Sequence, residues 1–137
     1  MFDIQAFADG AAAFAIAFAA ALLFTGAFKL LYQLVTPHRE RELIAAGNPA
    51  AAITLGGAVL GYVIPLATAL TQTESLPEFA AWAALAGVIQ IVVFLAVRRF
   101  ALRDLSARIE RGEVAAALYL LTLSLAVGLL NAASMTA

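Results

Sequence analysis

Four long apolar runs decide what this chain can become. They cover about Gly10–Val35, Asn48–Thr71, Glu78–Val97 and Glu113–Met135. Each reaches the roughly 20 apolar residues that a helix needs to cross a hydrocarbon core. Lipid offers backbone groups no hydrogen-bond partner, so only helices and closed barrels span it. A barrel would show short segments alternating apolar and polar residues, whereas these runs are continuously apolar. Composition agrees, with 64 % hydrophobic and 12 % charged residues and a mean hydropathy of +0.97. A soluble domain is roughly 45–50 % apolar and about 25 % charged, and one of 137 residues has too little interior to hide this much apolar surface. A disordered tail, a disulfide scaffold (the chain has no Cys) and a nucleic-acid binder are excluded as well. The first run follows an acidic start, Met1-Phe2-Asp3-Ile4-Gln5, and is too long for a cleaved leader, so it is expected to be a retained helix.

Charge then orients the runs. All eight Lys and Arg residues lie at the ends of runs one and three or in the segments that follow them: Lys29, Arg39 and Arg41, then Arg98, Arg99, Arg103, Arg108 and Arg111. The opposite side carries Asp3, Asp9, Glu74 and Glu78 and no basic residue. Lys and Arg collect in cytoplasmic loops. Both basic segments are therefore expected in the cytoplasm, with both termini and the Gln72–Pro77 hairpin outside. Minimal loops and the lack of an organelle-targeting segment place the chain in a bacterial inner membrane.

The boundaries carry helix-capping chemistry. Thr36-Pro37 is expected to end run one and open a short helix to about Ala46, with Thr36 as its N-cap and Pro37 at its first position. Gly47 then supplies a left-handed turn, Asn48 caps and Pro49 opens the second span. Gly112-Glu113 repeats the device, with an acid on the positive end of the helix dipole. Pro77-Glu78 opens run three. The Arg98–Arg111 segment reads as an amphipathic helix with Leu102, Leu105 and Ile109 on one face and Asp104 and Arg108 at i,i+4 spacing. It either continues run three into the cytoplasm, with its arginines on lipid phosphates, or docks a partner. Headgroup contacts are expected at Arg39, Arg41, Arg98, Arg99 and Arg103, and also at His38.

A shift of 65 residues lays Gly47 on Gly112, Ala50-Ala51-Ala52 on Ala115-Ala116-Ala117, Leu55 on Leu120 and Thr25 on Gln90. Both halves read span, basic segment, Gly, Ala-rich span. The chain is thus expected to be one transmembrane domain, residues 1–137, of two parallel repeats at about 10–71 and 78–136, related by an axis along the membrane normal.

Within lipid, helices associate by close backbone approach. Small-residue stripes run through Gly57, Gly61 and Pro65 and through Ser124, Gly128 and Ala132. They serve either packing within the chain or a subunit interface. Pro65 removes a backbone donor and frees the Gly61 carbonyl, which predicts a kink. No ionisable residue stands deep in a span, so a proton-coupled pump, which wants a buried carboxylate, is disfavoured. The neutral candidates are Thr25, Gln90 and Asn131. Gln90, near the middle of run three, either bonds another helix, through Thr25 or Thr54, or lines a pore.

His38 is the single histidine, the acids are divided between two faces, and no phosphate loop or nucleophile elbow is present. No catalytic residue, metal or cofactor is expected.

Glu42-Leu43-Ile44-Ala45-Ala46-Gly47-Asn48-Pro49-Ala50-Ala51-Ala52 with Leu55-Gly56-Gly57, and the ending Gly128-Leu129-Leu130-Asn131-Ala132-Ala133-Ser134-Met135-Thr136, resemble the YjfL-like family of bacterial inner-membrane proteins, domain-of-unknown-function family 350. The resemblance covers nearly the whole chain. It implies location and topology and marks Gly47, Asn48, Gly57, Asn131 and Thr136 as signature positions, with no catalytic residue carried over.

The sequence thus predicts an all-α integral-membrane bundle of four spanning helices, with short cytoplasmic helical segments after the first and third. The expected role is non-enzymatic: a homo-oligomer, or an accessory subunit of a membrane complex, acting through helix–helix and lipid contacts. The alternative is a small oligomeric channel or transporter with neutral polar residues along its path.

Overall fold

The computed structural model describes all residues 1–137 and is entirely helical. Helix α1 spans Ile4–Val35, α2 Glu40–Ala45, α3 Pro49–Gln72, α4 Leu76–Ala96, α5 Leu105–Glu110 and α6 Val114–Ser134, with a π-helical turn at Val97–Ala101 after α4. Helices α1, α3, α6 and α4 with its π turn are long and apolar enough to cross a membrane. The expected all-α bundle of four such helices is the observed architecture.

Helix α1 begins six residues before the expected boundary because Asp3 caps it, accepting from the backbone N–H of Gln5 (3.0 Å) and Ala6 (3.1 Å). At 32 residues it is about 48 Å long, more than the roughly 30 Å hydrocarbon core requires. Every residue from Met1 to Ile16 is exposed, so its N-terminal half is largely uncovered, with Ala13 and Ile16 bordering a crevice against Leu70 and Phe79. The inner half is held by aromatic side chains. Phe28 stacks on Tyr62 of α3 at 4.3 Å, Phe24 meets Phe79 of α4 edge-on at 5.4 Å, and Tyr32 meets Phe94 of α4 at 5.5 Å.

Helix α3 is the centre of the molecule and the most buried span, touching α1, α4 and α6. Its contact with α6 is the most extensive and the closest. A Cβ added at Gly128 would stand 2.5 Å from the Gly61 carbonyl oxygen, and one at Gly61 would stand 2.5 Å from the Ser124 carbonyl oxygen. At Gly57 the obstruction is Leu121, whose Cδ1 would lie at 2.6 Å. Helix runs unbroken through Pro65.

The links depart from expectation in three places. Thr36 ends α1 and does not start α2: its N–H donates to the Tyr32 carbonyl (3.0 Å) and its hydroxyl to that of Gln33 (3.2 Å). With its side chain committed backwards it cannot cap forwards, and α2 starts only at Glu40, after Arg39. The segment after α4 is not one helix. The π turn ends at Leu102, and a separate α5 follows whose Leu105 and Ile109 are fully buried against the bundle. Its apolar face is turned into the bundle. Arg108, finally, pairs with Glu113 of the α6 start and not with Asp104. The two positive-φ residues are Gly47 (φ 87°) and Gly112 (φ 77°), where only glycine avoids a Cβ clash.

Candidate functional site: a buried amide, two interhelical junctions and an open groove

Gln90 lies on α4 where α4 crosses the α3–α6 pair, and it is 1 % exposed. Its Nε2 donates one N–H to the Gly61 carbonyl and one to the Ser124 carbonyl, each at 3.0 Å. Pro65 is four residues after Gly61, so that carbonyl has no helical donor, and Gln90 supplies one. The expected partners were Thr25 and Thr54. Both hydroxyls are instead spent on their own helices, on the carbonyls of Ala21 (2.8 Å) and Ala51 (3.1 Å). Gly61, Gly128 and Ser124 let the backbones come close enough for one amide to reach both carbonyls. Pro65 and Ala132 are buried one turn further out.

The first junction, at the basic end of the bundle, is built on Asn48. Its Oδ1 accepts from the N–H of Ala51 (3.1 Å), capping α3, while its Nδ2 donates to the carbonyls of Ile109 (2.9 Å) and Glu110 (3.2 Å) at the end of α5. One side chain satisfies the start of one helix and the end of another. Glu113 precedes α6 without capping it. Its carboxylate accepts from Arg108 Nε (2.8 Å) and from Arg108 Nη2, with Arg111 at 3.5 Å. The hydrogen-bonded Arg108 guanidinium, aided by the charge of Arg111, holds the Glu113 carboxyl below the usual carboxylate range.

The second junction was not legible in the sequence. His38 and Glu40 are each 2 % exposed, so His38 is no headgroup contact, and the chain does contain a buried carboxylate. His38 Nε2 lies 3.0 Å from Glu40 Oε1, and Nδ1 lies 3.3 Å from the Ser106 hydroxyl of α5. The flanking Arg39 and Arg41 make Glu40 read as part of a solvated charge run. The one available signal was Pro37, which turns the chain back under the bundle just before His38.

The remaining arginines are exposed. Arg39 pairs with Glu42 at 3.4 Å, while Arg41, Arg98, Arg99 and Arg103 form no ion pair. Arg98, Arg99 and Arg103 line an open crevice of about 510 Å³ with Leu95, and the Arg99 guanidinium lies 5.6 Å from the Phe100 ring centroid. Thr25, Gln90 and Asn131 make no hydrogen bond to one another. Asn131 stands apart in a groove of about 310 Å³ between α4 and α6, beside Trp82, Leu85, Ile89, Val127 and Leu130. Its Nδ2 is buried and has no partner. No three His, Asp or Glu side chains converge as a metal cluster would require.

No solved structure matches this chain. Among curated proteins it is 42 % identical over 109 residues, 80 % of this chain and 82 % of the relative, to the protein described as "UPF0719 inner membrane protein YjfL" of Escherichia coli (strain K12). The same figures hold for the protein so described in Escherichia coli O157:H7. Neither description names an activity. The family model described as Domain of Unknown Function (DUF350) matches residues 6–135, and the chain, a multi-pass membrane protein of four spanning-length helices, belongs to that family.

Proposed function

We propose that this protein is a non-enzymatic multi-pass protein of the bacterial inner membrane, working as an oligomeric or accessory subunit through helix–helix and lipid contacts. One observation carries the reading: the unpartnered Nδ2 of Asn131 in the groove between α4 and α6. An unsatisfied amide in hydrocarbon is costly, and lipid tails offer it no acceptor. A helix of a second copy laid in this groove would cover Leu85, Ile89 and Leu130, and a turn of the Asn131 side chain toward it would give the buried N–H an acceptor. The small-residue stripes of α3 and α6 face each other within the chain, so they are spent on internal packing, and the groove at Asn131 is one of the surfaces open to a neighbour, together with the apolar α1–α4 groove lined by Phe24, Leu31, Val88 and Ile91.

The orientation with both termini periplasmic is supported by the division of charge, since every Lys and Arg lies toward the end of the bundle where α1 and α4 finish and α3 and α6 begin. The crevice of Arg98, Arg99 and Arg103 suits lipid phosphates at that leaflet. We further propose that residues 10–71 and 78–136 are parallel repeats; two hairpins that fail to superpose in an experimental structure would remove this.

The test is the mass of the protein extracted in mild detergent and measured by native mass spectrometry, with disulfide trapping of Leu130→Cys in membranes. The chain has no native Cys, so any trapped dimer reports this contact. The reading expects a complex larger than one chain and its loss in Asn131→Leu. A lone monomer without co-purifying protein, and no trapping, would sink it. An impermeant thiol reagent should label Ala137→Cys from outside intact cells and spare Ala101→Cys.

A further inference from the structure

The buried junction beneath the bundle has no role in helix packing that an apolar pair would not fill better. Four side chains meet there around the ring of Phe94. Tyr32 comes from the last turn of α1, His38 from the link, Glu40 from the first position of α2 and Ser106 from α5. Tyr32 and His38 both pack edge-on to Phe94, at 5.5 and 6.2 Å. The bonds form a line: Ser106 Oγ to His38 Nδ1 (3.3 Å), then His38 Nε2 to Glu40 Oε1 (3.0 Å). Two further buried oxygens, Glu40 Oε2 and Tyr32 Oη, have no partner.

Charge decides what the line must hold. No Lys or Arg lies within ion-pair distance of Glu40; Arg39 turns to Glu42, and Arg108 and Arg111 turn to Glu113. The titratable groups facing His38 are therefore Tyr32 from α1 and Glu40 from α2, while α4 brings Phe94 and α5 brings Ser106, neither of them charged. A neutral imidazole beside a carboxylate would leave a buried, uncompensated negative charge, which the interior resists. One further proton removes it.

We infer that His38 and Glu40 form a proton-binding site, loaded from the cytoplasm past the half-buried Ser106. The proton has two resting places. On Nδ1 it makes an imidazolium that donates to Ser106 Oγ and, through Nε2–H, to Glu40 Oε1. If the Nε2 proton then passes to Oε1, a neutral imidazole protonated on Nδ1 and a carboxylic acid remain, and the acid O–H donates back to Nε2 across the same 3.0 Å. Protons are conserved in each transfer and the pair stays neutral throughout. Because Ser106 belongs to the second half of the chain and Glu40 to the first, the bound proton ties the two cytoplasmic segments together.

A single histidine makes the test direct: ¹⁵N-histidine labelling gives one pair of ring resonances, followed between pH 5 and 9 in lipid nanodiscs. Glu40→Gln, which keeps the acceptor oxygen but not the charge, is expected to bind the ring proton at least tenfold more weakly than wild type. Ser106→Ala, which deletes only the Nδ1 partner, is expected to weaken it by threefold or more. Glu40→Gln and Ser106→Ala both titrating within twofold of wild type would overturn the site. If Glu40→Gln does not fold, wild type is compared with the same labelled chain unfolded in SDS. Equal midpoints in those two states overturn the proposal, and a tenfold tighter folded state supports it.

Discussion

Replacing Gly61 with alanine tests whether the α3–α6 contact is set by backbone approach. The added methyl would stand 2.5 Å from the Ser124 carbonyl oxygen and 2.7 Å from Gln90 Nε2. The first obstacle is backbone and cannot rotate away, so the helices must part by roughly 0.5–1 Å to reach ordinary contact. Over-packing of this kind costs about 1–3 kcal/mol. Parting the helices also stretches the two Gln90 bonds, each worth about 0.6 kcal/mol between membrane helices. Against this, alanine gains about 0.5–1 kcal/mol over glycine inside a helix. Gly56 isolates that last contribution, being a glycine of the same helix with open space around its would-be Cβ. Gly61→Ala should therefore be less stable than Gly56→Ala by about 2–4 kcal/mol, read by equilibrium unfolding in mixed detergent micelles or by steric trapping in bilayers. Equal stability of the two variants, to within about 0.5 kcal/mol, would refute the claim that glycine at 61 is there for proximity.

The same crossing predicts that Gln90→Leu loses about 1–2 kcal/mol, because the carbonyls of Gly61 and Ser124 lose their donor; in a Pro65→Ala background, where residue 65 regains an N–H for Gly61, the measured loss should be smaller. Asn48→Ala removes the α3 cap and both bonds to the end of α5. It should cost about 1–3 kcal/mol and raise amide hydrogen exchange at residues 48–52 and 108–112 together, where loss of a cap alone would raise only the first. For Glu113 the folded carboxyl titrates below its unfolded value. Its contribution is complete above the ordinary carboxylate range and disappears as pH falls through the lowered folded value. The melting temperatures of wild type and Glu113→Gln should accordingly differ at neutral pH and converge once the pH falls below the lowered folded value; a gap that persists in strong acid would contradict the Arg108 pairing.

The four spans, their order and the side of the bundle that carries the arginines were fixed by the sequence alone. Each rests on a property that needs no partner to be read: a run long enough to leave backbone groups no choice but a helix, and a charge that cannot stay in lipid. Gly47, Asn48 and Gly112 were legible for a related reason, since a left-handed turn and an N-cap are satisfied within a few residues. Only the tertiary structure decided where each polar side chain finds its partner. Gln90 was visible as costly, yet its partners are two main-chain carbonyls, and carbonyls have no sequence signature. Thr36 could have capped forwards or backwards, and the turn at Pro37 settled which. His38, Glu40 and Ser106 look like solvated loop residues one at a time, because burial here arises when two segments 68 residues apart in the chain fold under the same end of the bundle. Periodicity reports how a helix meets its solvent, whereas contacts between distant segments exist only once the chain has closed on itself.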